Sequence, residues 1–289
     1  MAGKQLPKGV AVVTGAAGGM GSATAKQLAE SGWRELLLCD VDAGSLETIA
    51  APLRASGAKV EIIAGDIAAP AFPEKLLSIL GGRAIGALVH TAGISPVMGS
   101  AERILAVNLD ATVRLVDTIR DRMAQGSAAV LFASNSSYFP MPPEAAAVFT
   151  ATLPPEGAVS LVHLAPVPEL AYPLSKLGVR ALVKREAKSF GARGVRIVSI
   201  SPGAIDTPMT RREASRSEET KRITETSAIG RMTRPEGLAQ RMIQNSASGR
   251  MGRPEELATV AVFLCSPAAS FVTACDILVD GGHTAAMGF

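Results

Sequence analysis

Short apolar runs alternate with longer segments of helical period along nearly the whole chain. The runs VAVVTG (10–15), ELLLCD (35–40), VEIIAGD (60–66), ALVHTAG (87–93), AAVLFAS (128–134), VRIVSISPG (195–203) and DILVDGG (276–282) predict strands. Their apolar character is continuous, the pattern of strands covered on both faces in a parallel sheet. Helices are predicted between them near 19–31, 43–56, 73–80, 101–125, 171–190 and 254–266. This βαβα order predicts one α/β domain over residues 1–289: a doubly wound parallel sheet of about seven strands with helices on both faces.

Two segments break the rhythm. Residues 135–170 hold seven prolines, a density that forbids a long regular helix. Residues 206–250 are polar and arginine-rich, and they contain one copy of a doubled segment. SAIGRMTRPEGLA (227–239) and SASGRMGRPEELA (246–258) are identical at ten of thirteen positions. Only the second is followed by TVAVFLCSPAAS and the last strand, and its Pro254, Glu255 and Glu256 suit the start of a helix. The first leads to no strand, and two copies are too few for a solenoid. The pair reads as a local duplication of 19 residues that lengthens a loop. Long excursions of this kind are lids, binding loops or interfaces. Within the second segment, Arg211, Arg212, Arg216, Lys221 and Arg222 are interleaved with acids, as on a solvated helical face.

Composition narrows the function classes. Hydrophobic residues make up 47% and charged residues 19%, a globular balance, and a net charge of +3 gives no footprint for nucleic acid. Cys39, Cys265 and Cys275 fit neither a disulfide framework nor a metal-binding spacing. The N-terminus lacks the apolar stretch of a signal peptide, and no run approaches the roughly 18 residues that span a bilayer. The expectation is a cytoplasmic protein with no membrane and no metal.

Chemistry enters at two places. VAVVTGAAGGMGSATAKQLAESG is a strand, a glycine-rich turn and an amphipathic helix, which is how a backbone approaches a pyrophosphate at a helix N-terminus. Gly15, Gly19 and Gly21 fit TGxxxGxG, whereas Gly15, Gly18 and Gly21 fit GxxGxxG. Asp40, ending the second strand, can accept hydrogen bonds from a ribose diol and repel a 2′-phosphate, which favours NAD over NADP; alternatively it caps the following helix. Asp66, ending the third strand, meets an adenine edge or caps a turn. The second place is AYPLSK. Tyr172 and Lys176 stand four apart, on one face of a helix that Pro173 predicts to begin at about Tyr172. A tyrosine hydroxyl ordinarily titrates near about 10, and a neighbouring ammonium favours the phenolate needed to take a proton from an alcohol.

These motifs occur together, in order, with GDI (65–67), AG (92–93), VNLDAT (107–112), SPGAIDTPM (201–209) and the run GRMGRPEELATVAVFLCSPAASFVTACDILVDGG (249–282). From Val10 to about Gly282 the chain resembles a short-chain dehydrogenase/reductase of the short, single-domain type, which implies a Rossmann-type fold and the TGxxxGxG spacing. The resemblance implies that Tyr172 is the catalytic acid/base and that Lys176 assists it and holds the nicotinamide ribose. It also implies that Asn108 holds a water in a proton relay and that Ser134 hydrogen-bonds the substrate oxygen, with Ser136 and Ser137 as competitors. On the cofactor side it implies contacts from Gly15, Gly19, Met20, Gly21, Asp40, Val41, Asp66, Ile67, Ala92 and Gly93. Pro202, Gly203, Ile205 and Thr207 complete that set, with Tyr172 and Lys176 shared between catalysis and cofactor.

The chain departs from the family pattern twice. HTAG stands where the family often has NNAG, so His90 reads as a local replacement that hydrogen-bonds backbone, the alternative being a second catalytic base. Ser134 and Tyr172 are 38 residues apart, far more than the family's usual spacing, because the Pro-rich segment intervenes. A comparable insertion is found in bacterial 3α-hydroxysteroid dehydrogenase/carbonyl reductases, which the chain also resembles around Asn108 and at its C-terminal run. The segment is expected either to wall a site for a bulky hydrophobic alcohol or ketone, or to pack on a flank or a neighbouring subunit. The expected function is NAD-dependent interconversion of a secondary alcohol and a ketone by a homodimer or homotetramer. The competing reading is a silent dinucleotide sensor, which would have no need of Tyr172 and Lys176.

Overall fold

The computed structural model describes residues 6–141, 143–149, 157–212, 244 and 246–288. Its centre is a seven-stranded sheet in the order β3-β2-β1-β4-β5-β6-β7, parallel throughout. The strands are β1 (Val10–Thr14), β2 (Glu35–Asp40), β3 (Lys59–Ala64), β4 (Ile85–His90), β5 (Met123–Phe132), β6 (Arg196–Pro202) and β7 (Asp276–Val279). This is the Rossmann-type α/β fold. The order reverses between β1 and β4, which opens a crevice at the carboxyl ends of those strands.

The continuous apolar runs have a plain cause. Successive strand residues point to opposite faces, and both faces are covered. Val10 and Val12 enter a core closed by α3 (Phe72–Leu80), α4 (Ala101–Leu105), α5 (Ala111–Ile119) and α7 (Pro168–Gly191). Ala11 and Val13 enter the opposite core, closed by α1 (Gly19–Glu30), α2 (Ala43–Ala55) and α8 (Pro254–Cys265). A short α9 (His283–Ala286) follows β7.

Two expectations change in detail. The helix predicted over 101–125 is α4, a π turn over Ala106–Asp110, α5 and a 3₁₀ turn over Arg120–Arg122, and β5 has already begun at Met123. The helix expected to begin at Tyr172 begins at Pro168, four residues earlier, with Val167 as its N-cap. Pro168 takes the first-turn position that proline suits, so Pro173 falls inside the helix, where its missing N–H leaves the Glu169 carbonyl without its usual partner. The helix of the second repeat copy starts as expected: Pro254 is in its first turn, the Arg253 N–H donates to Glu256 Oε2 (2.7 Å), and Arg250 forks onto the same carboxylate (2.8 and 2.7 Å). The first copy, with Arg216, Lys221 and Arg222, lies outside the described residues.

The described parts of the proline-rich insertion pack on the protein's own flank. They include a 3₁₀ helix over Asn135–Tyr138, α6 (Pro143–Val148) and a 3₁₀ helix over Ala158–Leu164. Ala145, Ala158, Leu161 and Ala165 are buried in the core that α4, α5 and α7 share. Asp110 ties the 3₁₀ helix down by accepting from the Ala158 N–H (2.5 Å) and the Val159 N–H (3.3 Å).

Candidate active site

All the candidate residues except Asn108, Tyr172 and Lys176 lie at or just beyond the carboxyl ends of β1 to β6 or at the start of α1. At β1 the glycine loop turns tightly: Gly15 has φ +70°, and a Cβ on Gly21 would come within 2.1 Å of the Gly15 carbonyl oxygen. Gly19 opens α1, and a Cβ there would press on Thr207 at 3.1 Å, whereas at Gly18 it would meet only the Gly15 oxygen at 3.3 Å. No side chain caps α1, so its first-turn N–H groups face the loop, the arrangement that receives a phosphate.

Asp40 lies beside this loop and accepts from the Ala17 N–H through Oδ2 (3.0 Å) and from the Val41 N–H through Oδ1 (2.7 Å). The alternative in which it caps the next helix is removed, because Asp42 is that cap and accepts from the Ser45 N–H at 3.0 Å. Asp66 accepts from the Ala68 N–H (2.9 Å) and from Arg103 Nη2 (2.6 Å), so both of its oxygens already have protein partners. Val41 is exposed, Ile67, Pro202 and Ile205 are buried, and Met20, Ala92 and Gly203 are half-buried around the same edge. Thr207 Oγ1 pairs with Thr210 Oγ1 (2.7 Å), which in turn donates to the Ile205 carbonyl (2.5 Å).

On α7, Lys176 is buried, donates from Nζ to the Phe132 carbonyl at the end of β5 (3.0 Å), and stands 5.8 Å from the centre of the half-buried Tyr172 ring. Burial pulls the Lys176 ammonium down to about 8. Ser134 follows β5 at once. Its Oγ accepts from the Ser136 N–H (3.2 Å) and Ser136 Oγ (3.0 Å), which leaves its own hydrogen for another oxygen. Ser137 Oγ is spent on the Ser134 carbonyl (2.6 Å) and on Arg180 (3.2 Å). Asn108 sits in the π turn. Its side chain clamps the backbone of Ile94, accepting from N–H at 2.8 Å and donating to C=O at 3.0 Å, and it also donates to Ser175 Oγ at 3.2 Å. A Cβ on Gly93 would come within 3.1 Å of Asn108 Oδ1 and 3.3 Å of Lys176 Nζ, which places these three residues together.

His90 bonds side chains rather than the backbone expected of it. Thr112 Oγ1 gives its single hydrogen to the Asn108 carbonyl (2.7 Å), so His90 Nε2–H donates to Thr112 Oγ1 (2.8 Å). Thr14 Oγ1 then donates to His90 Nδ1 (2.6 Å). Burial, aided by the Lys176 charge, holds the imidazole down at about 3, so it is neutral at working pH. The unfolded chain takes this proton below about 6.5 and the folded one does not until about 3, so the histidine's contribution to stability falls as pH drops through that window. His90→Gln, which can keep both bonds, is expected to flatten that fall: urea unfolding at pH 7.5, 5.5 and 4.5 should show wild type losing about 1.4 kcal/mol more per pH unit than the variant below pH 6.

Sequence reasoning missed several residues around the serine turn. Arg180 is one helical turn beyond Lys176 and contacts Ser137, Tyr138 and Asp276. His283, from α9, is buried with Nδ1 3.2 Å from Asn135 Nδ2 and its ring edge-on to Phe139. The helical spacing Tyr172–Lys176–Arg180 was the only signal available for any of them. Among the described residues no group of three or more His, Cys, Asp or Glu side chains could hold a metal, and no helix is long and apolar enough to cross a membrane.

A family model for short chain dehydrogenases matches residues 9–152, and one for enoyl-(acyl carrier protein) reductases matches 158–243 and 224–284. The galactitol 2-dehydrogenase (L-tagatose-forming) of Cereibacter sphaeroides is 30% identical over 97% of this chain and 96% of its own. The chain belongs to the short-chain dehydrogenase/reductase family. The cis-4-hydroxycyclohexanecarboxylate dehydrogenase of Sinomonas cyclohexanicum is 28% identical, over 98% of this chain and 99% of its own. The solved structure of the 3-alpha-hydroxysteroid dehydrogenase from Pseudomonas sp. B-0831 complexed with NADH superposes with a TM-score of 0.73 at 26% identity, covering 96% of this chain and 98% of that one. This short-chain dehydrogenase/reductase is thus an oxidoreductase of alcohols and ketones that uses a nicotinamide dinucleotide. The two matches of the second family model overlap at 224–243, which contains the first copy of the doubled segment.

Proposed function

We propose that this short-chain dehydrogenase/reductase is an NAD-dependent enzyme that interconverts a secondary alcohol and a ketone on a bulky hydrophobic substrate of hydroxysteroid, terpene or aryl-alcohol type. The observation that carries this reading is Lys176 on α7, which donates to the Phe132 carbonyl two residues before Ser134 and stands 5.8 Å from the Tyr172 ring centre. The glycine cradle and the uncapped first turn of α1 fit a dinucleotide pyrophosphate, and Asp40 fits an unphosphorylated adenosine ribose. NAD supplies the hydride acceptor when bound. Ser134 donates its free hydrogen to the carbinol oxygen and orients it. Tyr172 takes the hydroxyl proton as the C–H bond breaks, and Lys176 supports the phenolate charge from one helical turn away. Asn108 fixes the Ile94 backbone beside Lys176. In reduction the proton returns from Tyr172 to the ketone oxygen.

We place the enzyme in the cytoplasm as a homodimer or homotetramer. Unpaired Cys39, Cys265 and Cys275 support the first statement. The second is supported by fully exposed Phe271, just before the edge strand β7, and exposed Phe263 on α8. The experiment is a panel of cyclic secondary alcohols, including hydroxysteroids, carveol and 1-phenylethanol, assayed with NAD and with NADP. The expected result is turnover of at least one, with kcat/KM about a hundredfold higher for NAD, since the Asp40 carboxylate repels a 2′-phosphate. Asp40→Ser should shrink that ratio at least about tenfold. Binding of NAD without oxidation of any alcohol in the panel would instead support a sensor.

A further inference from the structure

We propose that Arg180 is a positioning residue for Ser134, acting through a half-buried clamp with Tyr138 and Asp276; the inference rests on the role given to Ser134 above. Ser134 begins a single tight turn, the 3₁₀ helix Asn135–Tyr138, after which the chain departs at Phe139 into the proline-rich insertion. Such a turn needs anchoring if Ser134 is to hold one orientation, because it is followed by that excursion rather than by a core helix. The anchor comes from the helix that carries Tyr172 and Lys176. Spacings of four and eight residues bring Arg180 to the same side of α7, one turn further on.

The clamp is built of hydrogen bonds and one stacked contact, with a looser charge contact from Arg180 Nε to Asp276. Arg180 Nη1 donates to the Ser137 carbonyl (3.0 Å) and to Ser137 Oγ (3.2 Å), and Ser137 Oγ passes its hydrogen to the Ser134 carbonyl (2.6 Å). The guanidinium carbon lies 3.6 Å from the centre of the Tyr138 ring, a stacked cation–π contact. The Tyr138 hydroxyl donates to Asp276 Oδ2 (2.7 Å), from which Arg180 Nε stands 3.7 Å away, and Ser199 Oγ donates to Asp276 Oδ1 (2.5 Å). The serine turn is thereby held to α7, β6 and β7 at once. The Asp276 side chain is 7% exposed and that of Arg180 18%, so neither charge is satisfied by solvent if its partner is removed. Burial and the Asp276 carboxylate push the Tyr138 hydroxyl up to about 12, which keeps it a donor throughout the working range.

Arg180→Lys keeps the charge but loses the planar fork and the stacking. With NAD and cyclohexanol, a simple cyclic secondary alcohol, it is expected to lower kcat about ten- to hundredfold, the scale of a small misplacement in an active site. KM for the alcohol and Kd for NAD by calorimetry should change less than about threefold, because the altered group orients the reacting oxygen rather than binding the cofactor. The decisive measurement is a double-mutant cycle. In a Ser134→Ala background, where there is no hydroxyl left to orient, Arg180→Lys should cost less than about twofold. An equal loss in both backgrounds, or wild-type kcat in Arg180→Lys, overturns the proposal and leaves the role of Ser134 standing. Wild-type kcat in Ser134→Ala alone removes the underlying reading instead. Tyr138→Phe keeps the ring on the guanidinium and loses only the bond to Asp276; a kcat about three- to tenfold down, again without effect in Ser134→Ala, is expected and serves if Arg180→Lys does not fold.

Discussion

Tyr172→Phe is expected to lower kcat for alcohol oxidation at least about a thousandfold while leaving the Kd for NAD within about twofold. The substitution removes one oxygen from a half-buried ring and nothing else, so α7 keeps its packing and Lys176 keeps its bond to the Phe132 carbonyl. What disappears is the group that the proposed mechanism makes the proton acceptor. Without it the carbinol oxygen must give its proton to water while the hydride departs, and general base catalysis of that step is ordinarily worth about 10² to 10⁴ in rate. Stopped-flow or steady-state turnover together with calorimetric NAD titration separates the two quantities. A variant that kept a tenth of the wild-type rate would show that another group takes the proton, and the neutral, buried His90 is unsuited to that task.

The same residues show where sequence reading succeeds and where it stops. The strand series was legible because both sheet faces are covered, which forces apolar residues at consecutive positions such as Leu36, Leu37 and Leu38. The glycine loop and the Tyr172–Lys176 pair were legible because local geometry, a tight turn and one helical turn, sets their spacing. The start of α7 was misread because two prolines compete: Pro168 and Pro173 both suit a first turn, and only packing of Ala171 and Leu174 into the core decides that the helix has begun before the second. The π turn that carries Asn108 leaves no mark in a hydrophobic pattern, since it shifts register by a single residue. Asp276 and Ser199 could not be associated with the serine turn in advance, because 138 residues of chain separate Tyr138 from Asp276 and only the closing of the sheet brings them together.

Lys176→Met should abolish turnover, with a loss of about a thousandfold or more, and yet yield a more stable protein at pH 7 when no cofactor is bound. The reason is the cost of burying the ammonium. Its ordinary value of 10.5 falls to about 8 in the folded protein, so between these limits the unfolded chain holds a proton that the folded chain has released. Stability rises with pH wherever the unfolded state binds more protons, so the contribution of Lys176 improves from pH 8 to 10.5 and is at its worst, by about 3 kcal/mol, below pH 8. Methionine removes that penalty and fills most of the same volume, but it leaves the Phe132 carbonyl without its donor, which costs about 1–2 kcal/mol. The net expectation at pH 7 is a variant about 1–2 kcal/mol more stable, hence a Tm a few degrees higher. Denaturant titrations at pH 7, 9 and 10.5 should then show the wild type overtaking the variant near the top of that range. A variant less stable at pH 7, with the same pH slope as wild type, would mean that Lys176 folds with its charge fully compensated. The predicted order makes Lys176 a residue that the fold alone would be better without, in the place where the proposed Tyr172 phenolate needs a cation beside it.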